Sequence, residues 1–237
     1  MLNLKSVESA TWWIAIFLAY FFVATLTGAF RAWVARAMGD DTPEYMGFLT
    51  LNPMVHSDPI GFFFLMFFGF GWGKYIPINP FNITGKFRWL KISVAYFSSF
   101  FANIAMATVS LLILIVSFGS NVLNISARMM MYGRLFQGFF IGSYPDSSSL
   151  MIAIALFLSA LMYLNVLLGV LNFIISGFAF FSMVFADRFE VFGKYRDILL
   201  ILIPMFIIFF FAGDLRILVV YIITNIGYIL AKMLGIP

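Results

Sequence analysis

The chain has 237 residues, 63% hydrophobic and 10% charged, with 32 Phe and a net charge of +4. No soluble domain of that size needs so much apolar surface, so composition excludes an ordinary water-soluble globule and points to an all-α polytopic membrane protein, a single domain over 1–237. The basic residues lie between apolar runs, so the charge reads as topology and lipid headgroups and not as nucleic-acid binding, and the absence of Cys excludes thiolate metal sites.

The apolar runs are continuous and do not alternate, which favours helices over a barrel. The composition and runs lead us to expect about five or six transmembrane or re-entrant helices with a small strand or loop insertion. The first uncharged run, Ser9 to Phe30, is too long for a signal-peptide core and has no small-x-small cleavage site after it, so it reads as a retained helix, from about Ala10 to Met38. Gly39 is a natural stop for it. Asp40 to Asp58 is polar and rich in turn residues, and Gly47-Phe48-Leu49-Thr50-Leu51 within it suits a short strand. Pro59 to Gly73 is apolar but short for a crossing, so it is either re-entrant or a short tilted helix. The prolines and asparagines of Lys74 to Lys91 forbid a regular helix there.

Ile92 to Gly119 is a clear span. Ser120 to Ser149, with Arg128, Met129 to Met131 and Arg134, fits an interfacial amphipathic helix. Leu150 to Ala186 is too long for one crossing, and a break is expected at Ser176-Gly177. Asp187 to Asp197 is a charged loop. Ile198 to Ala212 and Ile217 to Ala231, separated by Gly213-Asp214, read as a hairpin or two tilted helices.

Several of these stretches together carry a resemblance. Gly39-Asp40, then Leu51-Asn52-Pro53, then His56-Ser57-Asp58-Pro59-Ile60-Gly61 follow the first helix. Phe70-Gly71-Trp72-Gly73-Lys74-Tyr75-Ile76-Pro77-Ile78-Asn79-Pro80 comes next. This ordering resembles the site-2 protease family, zinc metalloproteases that cut inside membranes. The resemblance implies a protease-like core over about 10–186 and a C-terminal helical pair over about 197–234. It implies zinc as cofactor, held by an H-E-x-x-H motif on the first helix and an Asp in a later N-x-x-P-x-P-P-L-D-G. Aligned on Gly39-Asp40, the first motif falls on Thr27, Gly28 and Arg31. Aligned on Asn165 and Asn172, the third ligand falls on Phe180 and the prolines on Ile175, Gly177 and Phe178. No catalytic residue and no zinc are therefore expected.

Other chemistries are short of the groups they need. Catalytic zinc takes about three protein ligands, and the chain has one His and no Cys. His56 with Asp58 is either a loop-ordering pair or a weak alternative metal site. An aspartyl protease needs acids inside the membrane, and no apolar run holds one. Arg31 either snorkels to headgroups or takes an internal partner, such as a backbone carbonyl or an amide oxygen. Asn103, Asn165 and Asn172 are either packing glue or, as the resemblance implies, holders of an extended substrate-like segment beside Leu49, Thr50 and Leu51. The expected protein is multi-pass and catalytically silent, with the bilayer and transmembrane segments or partner membrane proteins as its company. A peptidase with an unorthodox site and a structural subunit of a membrane complex are the alternatives.

Overall fold

A computed structural model describes residues 4–68, 71–132, 148–184 and 196–236. The protein is all-α. Its elements are α1 Leu4–Met38, α2 Thr42–Tyr45, α3 Pro53–His56, α4 Pro59–Phe68, α5 Arg88–Phe118, α6 Asn121–Tyr132, α7 Ser149–Val184 and α8 Arg196–Met233. Among the described residues, three stretches are long and apolar enough to cross a membrane: Ala10–Met38, Arg88–Phe118 and Ser149–Val184. It is a membrane protein.

The expected strand at Gly47 to Leu51 is absent. Among the described residues the extended pairing is limited to one antiparallel bridge, Ser57 to Gly73. Residues 49–52 are held instead as a turn, because Thr50 Oγ1 and Asn52 Oδ1 accept local backbone N–H groups and thereby compete with a sheet ladder.

α4 resolves the short apolar segment. Its ten residues reach about 15 Å, roughly half the hydrocarbon thickness. The chain then comes back to where the helix began. A β-carbon on Gly61 would stand 2.9 Å from the backbone nitrogen of Trp72, and one on Gly71 would stand 3.1 Å from the carbonyl carbon of Gly61. Only glycine permits two backbones to approach so closely. The segment therefore turns back on itself.

The expected break at Ser176-Gly177 does not occur: α7 runs unbroken for 36 residues. The physical reason is in the sequence. A break needs proline, which removes an N–H and clashes with the preceding turn, and Ile175, Gly177 and Phe178 leave the ladder intact. Gly213-Asp214 likewise does not interrupt the last helix, since α8 is continuous over 38 residues. A single exposed Gly costs about 1 kcal/mol in a helix, too little to stop one this long. The expected loop Asp187 to Asp197 falls mostly outside the described residues, as do Arg134 and the rest of 133–147.

Contacts divide the chain into two compact units. The first is Met1–Val23, Ile104–Leu167 and Gly213–Pro237; the second is Ala24–Asn103 and Leu168–Ala212. In the first, Trp12, Ala15, Ile16, Ala19, Tyr20 and Val23 are buried, which is one helical stripe of α1. α6 is amphipathic as expected, burying Val122, Leu123 and Ile125. Its Ser126 meets Ser159 of α7 at 2.8 Å, and Leu123 packs so near Gly227 of α8 that a β-carbon there would stand 2.7 Å away.

The second unit holds the residues that the sequence singled out on α1. One core cluster joins Ala35, Ile78, Ile83, Ile92, Ala95 and Tyr96, with Phe97 and Phe180 against it. Another joins Ala32, Phe48 and Ile76, with Leu49 and Val55. Both knit α1 to the proline-rich segment after α4.

Candidate functional site

The site is built on the far end of α1. Thr27 and Arg31 are buried, at 5% exposure each, and Gly28 faces inward between them. One turn separates Thr27 from Arg31, so both lie on one face of the helix. That face meets three other segments.

Arg31 makes the central contacts. Its Nε donates to Ile76 O at 3.2 Å. Its Nη1 donates to Tyr96 O at 2.9 Å and to Ser176 Oγ at 3.2 Å. The rings of Tyr75 and Tyr96 lie 5.8 and 6.0 Å from Cζ. The guanidinium thus ties α1 to the extended segment, α5 and α7, through three neutral acceptors. Of the two readings of Arg31, the internal one with backbone carbonyls holds.

Gly28 sits under a histidine. A β-carbon there would stand 2.9 Å from Cγ of His56 and closer still to its Nδ1. His56 is 1% exposed, with its Nε2 2.8 Å from Thr50 O. That bond places the proton on Nε2 and leaves Nδ1 as an acceptor, which has no hydrogen-bond partner among the described residues. Burial pushes the His56 imidazole below its ordinary value, Lys74 lowers it further, and the bond to Thr50 opposes both. The ring is therefore neutral at pH 7.

Asp58 lies two residues beyond His56, just before α4. Its Oδ1 accepts from Gly61 N at 2.8 Å, capping the start of α4. Phe180 belongs to the hydrophobic core beside Tyr96, ring to ring at 6.1 Å. It lies one turn beyond Ser176, so the aligned positions on α1 and α7 share Tyr96 and Ser176 as neighbours.

The three asparagines differ in their surroundings. Asn103 is fully buried, and neither end of its amide has a partner among the described residues. Asn165 spends its Nδ2 on Leu161 O of its own helix at 2.8 Å, and its Oδ1 is unpartnered among those residues. Asn172 is half-buried on α7. Leu49 packs in the core, Thr50 holds His56, and Leu51 is exposed.

Sequence reasoning used Asp40 as an alignment mark and gave it no partners. It is fully buried. Its Oδ1 accepts from Thr42 N at 3.1 Å, Thr42 Oγ1 at 2.5 Å and Asn82 Nδ2 at 2.8 Å, and its Oδ2 accepts from Asn79 N at 2.7 Å. The signal for it was the Asn79-Pro80-Phe81-Asn82 motif, whose two asparagines both reach it.

Among the described residues no three of His, Cys, Asp or Glu stand together so as to hold a metal ion. The zinc that the resemblance brings with it does not fit the residues present. A guanidinium occupies the second aligned ligand position, and its charge opposes a cation.

The chain is similar to a Bacillus subtilis (strain 168) protein named "Putative zinc metalloprotease YwhC", 49% identical over 49 residues. The match covers 21% of this chain and 22% of that protein, so the chain spans under a quarter of that relative's length. No family model matches the chain, and no solved structure does.

Proposed function

We propose that the chain is a multi-pass, site-2-protease-like membrane protein that binds transmembrane segments or partner membrane proteins without cleaving them. The observation that carries this reading is Arg31. At the position aligned with a metal ligand it is spent on holding α1, the extended segment, α5 and α7 together. A hydrolytic zinc site needs an open coordination position and an activated water, and a guanidinium supplies neither. The likeness to a named zinc metalloprotease over 49 residues supports the scaffold, and three membrane-length helices support the setting.

The test is elemental analysis for zinc on detergent-purified protein, paired with photocrosslinking from Asn172 in native membranes. Zinc well below one ion per chain, together with recovery of uncleaved membrane segments, supports the reading. One bound zinc per chain, or hydrolysis of a transmembrane substrate, overturns it.

A further inference from the structure

Arg31 carries more than its three bonds. All its acceptors are neutral, and among the described residues no carboxylate lies within ion-pair distance of it; the salt bridge found there joins Arg36 to Glu44. A carbonyl or hydroxyl satisfies an N–H but does not neutralise a charge. Nη2 makes no hydrogen bond among the described residues, and it is not among the fully enclosed atoms that lack a partner. It is therefore not fully enclosed. Tyr75 stands beside the guanidinium with 56% of its surface exposed.

The surroundings fix the kind of anion. Arg31 lies eight residues before Gly39, about 12 Å along the helix. Its bonding partners Tyr96 and Ser176 also lie within membrane-length helices. A dissolved anion would have to shed its water to reach such a depth, at a cost of several kcal/mol. An acid carried into the bilayer on a membrane-spanning helix enters in its neutral form, and on meeting an arginine it gives up its proton and pairs with the N–H groups left on Nη2.

We propose that Arg31, flanked by Tyr75 and Tyr96, is the recognition site for an acidic side chain inside a partner's transmembrane segment. This rests on the reading above that the protein binds such segments, and it names which ones. An unneutralised arginine and a membrane-embedded Asp or Glu are each unfavourable alone and relieve one another when they meet.

The test uses the full chain in phosphatidylcholine vesicles at pH 8, with p-benzoylphenylalanine in place of Tyr75. Synthetic Leu/Ala transmembrane peptides are offered with Glu or Gln at one mid-helix position. Crosslinking of the Glu peptide is expected to exceed that of the Gln peptide by about tenfold or more, and Arg31→Gln is expected to remove the preference. The comparison of peptides on the unaltered Arg31 stands even if Arg31→Gln fails to fold. Equal capture of both peptides overturns this inference while leaving segment binding intact. Capture of neither overturns the binding reading and this inference with it. A preference abolished by replacing phosphatidylcholine with phosphatidylglycerol assigns the site to a lipid headgroup and also overturns it.

Discussion

Two buried charges in one unit make opposite use of their surroundings. Asp40 follows the end of α1 and is fully buried; Arg31, within the helix, is 5% exposed. Asp40 receives four hydrogen bonds, from two backbone N–H groups, an amide and a hydroxyl. Those bonds are needed, because a carboxylate at a helix C-terminus meets the negative end of the macrodipole. Arg31 has three bonds, all to neutral acceptors, and leaves Nη2 unused. A charge whose lone pairs are all answered has a structural task. One with donors left over is equipped to meet something else.

The largest effect is expected where the answering is complete. Asp40→Ala removes one acceptor group and strands four donors, and each buried unpaired donor costs roughly 1–3 kcal/mol. Partial rescue by water leaves about 3 kcal/mol or more. Thermal unfolding in detergent measures this. A loss under about 1 kcal/mol would break the contrast, by showing that the Asp40 cluster holds nothing together. Asp40→Asn is expected to cost less, because it keeps one acceptor oxygen.

A second prediction probes the packing beside Arg31. Gly28→Glu drives a side chain into the His56 ring and is expected to destabilise by about 2 kcal/mol, the usual scale of overpacking. Coupling to His56→Ala relieves most of that, and a double-mutant cycle reads it. The same collision means that Thr27→His with Gly28→Glu restores no proteolysis, since Arg31 and Phe180 remain. Cleavage by that double variant would refute the alignment.

How far the sequence could be read follows sequence separation. The end of α1 was legible: Gly39 takes φ +107, and the bonds Asp40 N to Ala35 O and Gly39 N to Arg36 O complete a Schellman turn. The amphipathic α6 and the membrane-length runs were legible for the same local reason. The partners of Arg31 stand 45, 65 and 145 residues away, and those of Asp40 up to 42, so no local pattern announced either cluster. α7 teaches a different lesson. A break is expected at Ser176-Gly177 because the apolar run is too long for one crossing, yet the residues there lack the proline that makes one. Length alone does not stop a helix.

Arg31→Met is the next smaller effect and the sharper test of the comparison. It removes a buried charge along with its bonds, and replacing such a charge with an apolar side chain is often neutral or stabilising. The expected loss is about 1 kcal/mol or less, well below that of Asp40→Ala, while capture of acidic transmembrane peptides disappears. A loss equal to that of Asp40→Ala would make the two charges alike and remove the case for a recognition role.

The smallest effect is expected from pH, and it isolates His56, the one histidine in the chain. Its imidazole is held below the ordinary 6.5 by burial and by Lys74, against the bond to Thr50. As pH falls through about 6.5 the unfolded chain takes up a proton there and the folded chain does not, so the unfolded state binds more protons and stability drops. The drop ends once pH passes below the lowered native value, where both states are protonated. Unfolding midpoints measured from pH 7.5 down to 5 should fall over that window, and His56→Gln should flatten the decline. A midpoint that rises on acidification would mean that the imidazole gains a proton in place, with Nδ1 donating to an acceptor near Gly28.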